Sequence, residues 1–179
     1  MLITGLSLLL ILLNLHFQER PPSPPTDRTS IYSIDDQNKL MPLPFEQGQT
    51  PLRAGAVARS EKISYVEIKG EHSGTVMKAD VRIFLFTSER QGTHPPFLVW
   101  LTAHRGSRRV TAVTQPGMRG FAIASEEIIK PTVRVLARED DMVFMELRPR
   151  TSLVPGEYAI IGDDVTRIAT FRVAETIQH

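Results

Sequence analysis

From about Ala56 to Val173 the apolar residues come in short runs, each closed off by Gly, Pro, Asp or Arg. β-branched and aromatic types dominate these runs, which suits pleated, half-buried strands rather than helices. The runs place strands at Ile63–Lys69, Thr75–Thr87, Phe97–Ala103, Arg108–Thr114, Thr132–Ala137, Met142–Leu147, Glu157–Ile161 and Arg167–Val173, with Phe121–Ser125 as another short one. Only Ser125–Lys130 has a helical look, and it is brief. Eight or nine short strands over about 115 residues predict an all-β sandwich or barrel, long enough for one core.

Alternation supports the strands. Met142, Phe144 and Glu146 face one way, and Val143, Met145 and Leu147 the other. Val110 and Ala112 alternate with Arg109, Thr111 and Val113, a pattern for a half-exposed strand. Ile83-Phe84-Leu85-Phe86 and Phe97-Leu98-Val99-Trp100-Leu101 are apolar on both faces and read as central, with Trp100 as a core pillar.

Ahead of this domain, Met1 to Phe17 contains no charged side chain. As a helix it would span roughly 25 Å, a length that suits a signal-peptide core or a short membrane anchor. No basic residue precedes the run, and no small-x-small cleavage site lies between Asn14 and Arg20, so an anchor is favoured over a removed signal. Residues 18–55 read as a Pro-rich linker: Pro21, Pro22, Pro24, Pro25, Pro42, Pro44 and Pro51 fall there, out of 13 in the chain. Leu40, Met41, Leu43 and Phe45 are its docking points. The expected division is 1–17 signal peptide or anchor, 18–55 linker and 56–179 folded domain. With no cysteine, disulfides, a thiolate nucleophile and a Cys-based zinc site are excluded.

The sharpest motif is Leu153-Val154-Pro155-Gly156-Glu157-Tyr158. It resembles the L-x-P-G-x-Y corner of fibronectin type III and immunoglobulin-like sandwiches, in which the tyrosine hydroxyl bonds back to the upstream turn. The resemblance implies an immunoglobulin-like antiparallel sandwich of about eight strands. Leu153 would plug the core, Pro155 and Gly156 make the turn, and Tyr158 start the penultimate strand. More loosely, the Gly70-to-Ser73 turn together with this corner resembles bacterial envelope domains. Neither likeness implies an activity.

Chemistry is sparse. His16, His72, His94, His104 and His179 show no ligand spacing, and Asp140-Asp141 and Asp163-Asp164 read as turn residues. Glu126 and Glu127 are adjacent, so a strand would send them to opposite faces. There is no G-x-S-x-G elbow, phosphate loop or dinucleotide fingerprint, and no cofactor or metal signature. The one charge cluster is His104-Arg105-Gly106-Ser107-Arg108-Arg109, a hairpin tip whose His104, Arg105, Arg108 and Arg109 are candidates for an anionic ligand. A net charge of +1 and the lack of interleaved aromatics argue against nucleic-acid binding.

The sequence therefore predicts a non-enzymatic extracytoplasmic binding or structural module. It would be periplasmic or otherwise in the cell envelope, either anchored in the membrane through residues 1–17 or secreted, with a protein partner in an envelope assembly. The alternatives are an envelope-polymer hydrolase, favoured if His72 or His104 meets a carboxylate and a hydroxyl in a pocket, and a structural protein pairing through an edge strand.

Overall fold

The computed structural model describes residues 21–50, 57–89, 96–162 and 164–175. The apolar segment 1–17 lies outside the described residues, and no helix among those described is long and apolar enough to cross a membrane. The described residues form fourteen strands: β1 (Tyr32–Ile34), β2 (Leu40–Pro42), β3 (Phe45–Glu46), β4 (Gly48–Gln49), β5 (Lys62–Lys69), β6 (Val76–Met77), β7 (Ile83–Ser88), β8 (Phe97–His104), β9 (Ser107–Thr114), β10 (Ala122–Ile123), β11 (Pro131–Glu139), β12 (Met142–Pro149), β13 (Gly156–Ile161) and β14 (Ile168–Val173). A single 3-10 turn, Ser125–Glu127, is all that the helical-looking stretch becomes.

The strands form two antiparallel sheets, with one short parallel pair between β14 and β6. The first has five strands in the order β11-β12-β7-β1-β2. The second has nine, running β3-β14-β13-β8-β9-β5-β4, with β10 on β9 and β6 on β14. Because β3 and β4 are separated by Gln47 alone, the two ends of that path meet and the sheet curls into a nearly closed barrel.

Alternate residues of the barrel strands feed two different cores. Val66, Ile68, Val99, Leu101, Val110, Ala112, Ala159, Ile161 and Ile168 fill the barrel. Leu98, Tyr158, Ile160, Ala169, Phe171 and Val173 point outward against Ile83, Leu85, Val143, Met145 and Leu147 of the five-stranded sheet. That is why the runs at Phe97 and Glu157 are apolar on both faces. Trp100 is half-buried at the edge of the inter-sheet core, edge-on to Tyr158 at 5.1 Å between centroids. The far face of the five-stranded sheet carries its own cluster of Tyr32, Phe84, Phe86 and Phe144, roofed by the guanidiniums of Arg28 and Arg82.

Two expectations are corrected. The strand count is fourteen rather than about eight, in part because residues 31–49 supply β1 to β4. Ile31, Tyr32 and Leu43 are buried there, so this half of the Pro-rich stretch belongs to the folded body. The single strand expected over Thr75–Thr87 is two, β6 in the barrel sheet and β7 in the other. The stretch Lys78–Arg82 carries the chain across, with Ala79 and Val81 packed in the inter-sheet core. The exposed edge is guarded: β11 starts at Pro131, bulges between Val135 and Ala137, and carries Arg134 and Arg138.

Two local devices hold this arrangement. The Tyr158 hydroxyl donates to Val154 O at 2.6 Å, closing the corner that the sequence suggested. At Gly48 a Cβ would stand 2.5 Å from Ile168 Cδ1 and 2.9 Å from Val66 Cγ1, so any side chain there must displace two buried residues of the barrel core. Gly48→Ala should cost about 1–3 kcal/mol of stability, read as a lower urea midpoint. Burial pushes the Tyr158 hydroxyl from 10.0 up to about 12. Its contribution is therefore intact below pH 10 and drains away as the pH rises towards 12, because only the unfolded chain ionises in that window. Urea melts across pH 9–12 should show that decline in the wild type and a flatter profile in Tyr158→Phe.

Candidate binding cleft

Within the five-stranded sheet, the neighbours β1 and β7 separate. They pair only at Tyr32↔Phe84, although β1 continues to pair with β2 through Ser33↔Met41 and Ile34↔Leu40. A cleft of about 710 Å³ opens beyond that last pair. One wall is Ser33 to Asp36 with Asn38, from β1 and the β1–β2 turn; a second is Thr75 to Lys78 and Asp80 to Arg82. The third is Arg148 to Ser152, the exit from β12. Its size falls within the range of small-ligand sites.

The turn wall is fixed by its own chemistry. Asp35 Oδ1 accepts the amides of Gln37 and Lys39, both at 2.9 Å, and Asn38 takes a positive φ of 61° that asparagine tolerates well. The floor is held by charge. Arg82, 7% exposed, donates from Nε to Glu146 Oε1 at 2.6 Å, and Arg148 Nη2 reaches the same oxygen at 3.3 Å. Arg82 Nη1 also meets Asn38 Oδ1 at 3.4 Å, tying the turn to the floor. At the mouth, Asp36 pairs with Lys78. Lys78 holds the Asp36 carboxyl below its ordinary range, and Asp36 raises the Lys78 ammonium in turn. Both side chains are well exposed, so this link is a weak strap across the opening.

A second polar cluster plugs one end of the barrel. Arg108 is 1% exposed and reaches Glu46 Oε2 at 2.6 Å, Gly70 O at 2.9 Å, Lys69 O at 3.1 Å and Thr170 Oγ1 at 3.3 Å. Glu157 Oε2 lies 3.6 Å from its Nη1 and accepts the Ser73 amide at 2.9 Å. Glu157 Oε1 lies 3.0 Å from His72 Nδ1, and Thr170 Oγ1 lies 2.9 Å from Ser73 Oγ. This brings a histidine, a carboxylate and two hydroxyls together. Both hydroxyl residues are buried, however, and neither lines the cleft. The cluster ties β3, β13 and β14 to the turn after β5.

The four hairpin candidates scatter. His104 and Ser107 close a two-residue loop in which Arg105 (φ 45°) and Gly106 (φ 79°) are both left-handed, the geometry of a type I′ turn. Arg105 is exposed and His104 half-buried. Arg109 stacks over Tyr65 at 4.2 Å on the outer surface, while Arg108 turns into the barrel. The residues thus do not form one surface. Of the carboxylates, Glu127 is occupied in accepting the Thr111 amide and hydroxyl. Among the described residues no group of three or more His, Asp or Glu is placed to hold a metal ion.

The sequence did not nominate the cleft residues. Glu146, following Met142 and Phe144 on its strand face with Arg148 next, was the signal available, since a buried carboxylate requires a cationic partner. Together these features define an all-β protein with two antiparallel sheets and a polar cleft where β1 and β7 part. No family model matches the chain, and no curated protein or solved structure matches it either.

Arg108→Ala would leave the Glu46 and Glu157 carboxylates without their guanidinium, at a cost of roughly 3–5 kcal/mol. Arg105→Ala, within the turn that precedes Arg108, should stay within about 0.5 kcal/mol of wild type. Urea denaturation of the two variants side by side measures the contrast.

Proposed function

We propose that this protein is a non-enzymatic extracytoplasmic binding module, tethered to the membrane or exported by residues 1–17, acting as a subunit of an envelope assembly. The observation that carries the binding reading is the cleft between β1 and β7. It is open and walled by residues of both charges, and its floor is braced by the Arg82–Glu146 pair. The hydrolase reading receives less support, because Ser73 and Thr170 beside His72 and Glu157 are sealed from substrate. Pairing through the β11 edge is likewise disfavoured by its proline, bulge and arginines. The immunoglobulin-like kinship rests on the Tyr158 corner; the sheet order is the chain's own.

The absence of native cysteine makes a direct test simple. Arg150→Cys, on the cleft wall, and Arg105→Cys, on the distant hairpin, would each carry a photo-crosslinker in cells. A C-terminal reporter active only outside the cytoplasm would be fused to the same chains. An active reporter with a discrete adduct from position 150 alone is expected. An adduct from position 105 alone would move the contact to the hairpin, and an inactive reporter would overturn the envelope location.

A further inference from the structure

We infer that the cleft takes an extended polypeptide, which adds as a short strand along β1 and places an acidic residue beside Arg150. The inference rests on the binding-module reading and specifies the chemistry of its ligand. Backbone direction carries it. The Leu43 amide donates to Ile31 O at 2.8 Å, and the Asp35 amide donates to Lys39 O at 3.0 Å. Both bonds lie on the β2 side, so the odd-numbered backbone groups of this strand face β2. In a strand the groups alternate, so those of Tyr32 and Ile34 face the other way. Tyr32 meets Phe84 there. Ile34 has no strand partner on that side among the described residues, and it lines the cleft. The protein thus offers an extended backbone edge inside a cavity, the arrangement that strand addition uses.

The side chains around this edge select the occupant. Lys78, Arg82, Arg148 and Arg150 line the cleft against Asp35, Asp36 and Asp80. Asp35 is engaged by its turn amides and Asp36 by Lys78. Arg150 is exposed on the wall, and no ion pair or hydrogen bond of its side chain is found among the described residues. A guanidinium in that position favours a carboxylate, which it can grip through two parallel bonds. Among the described residues no aromatic ring lines the cleft, so a stacking platform of the kind nucleobases use is not found there. Ser33, Thr75, Thr151 and Ser152 add hydroxyls suited to peptide amides.

The test uses the full-length protein and a positional library of acetylated, amidated hexapeptides. Wild type should enrich peptides with Glu or Asp at one position, and Arg150→Glu should reverse that preference towards Lys or Arg. With the best peptide bound, exchange of the Ile34 amide should slow. N-methylation of the peptide's central amides should weaken binding at least about tenfold, the loss of one or two good backbone bonds. Retention of no peptide, an unchanged preference in Arg150→Glu, or binding indifferent to N-methylation would each overturn the inference. In the first case, a persistent cellular adduct from position 150 would leave the binding-module reading standing; loss of both would remove both.

Discussion

Everything at the open end of the barrel depends on one buried guanidinium. Arg108 leaves β9 on the same face as Val110 and Ala112, where the apolar filling of the barrel gives out. From there it bonds to β3, to β14 and to the turn after β5, and it lies beside Glu157 of β13. A charge in that position is tolerated because its donors meet two carboxylates and two main-chain carbonyls, which offset the cost of leaving water. A lysine would not replace it, since a single ammonium cannot reach partners spread over four strands.

The rest of the architecture follows from strands that serve two cores at once. β8, β13 and β14 are barrel walls on one face and the floor of the inter-sheet core on the other. The five-stranded sheet rests on that floor. Chain segments must then pass between layers, and Lys78–Arg82 makes one such passage. The cleft is the geometric residue of that crossing. β7 arrives from the barrel side and reaches β1 only at Phe84, so the two strands have not yet met along the preceding residues. Arg82 and Glu146 brace the junction from beneath.

The long strands were legible in sequence because alternation over six or more residues leaves a clear trace. β5, β8, β9, β12, β13 and β14 lie within a residue or two of the expected limits. β1 to β4 were hidden because pieces of two or three residues have no periodicity, and the prolines around them resemble linker. Closure of the barrel was equally hidden. It turns on Glu46 meeting Ile168 and Gly48 meeting Ile68, pairings between distant segments that no local pattern encodes. Arg108 was read as part of a basic surface because it neighbours Arg105 and Arg109. Its shared parity with Val110 and Ala112 was the stronger signal, and it pointed inward. The cleft had no local signature at all, since its three walls come from separate parts of the chain.

The strand order also sets an order in time. β14 is the last of the described strands, yet it sits between β3 and β13 and carries β6 as well. Its partner Glu46 is made more than a hundred residues earlier. During synthesis the early segment must therefore wait, unpaired on that side, until Ile168–Val173 has emerged. Neither the barrel nor the floor of the second core can be completed sooner. Such delayed pairing makes folding slow and leaves apolar strands uncovered in the interval. A nascent chain of this design depends on Ile168–Val173 to shut, and stays open until that strand arrives.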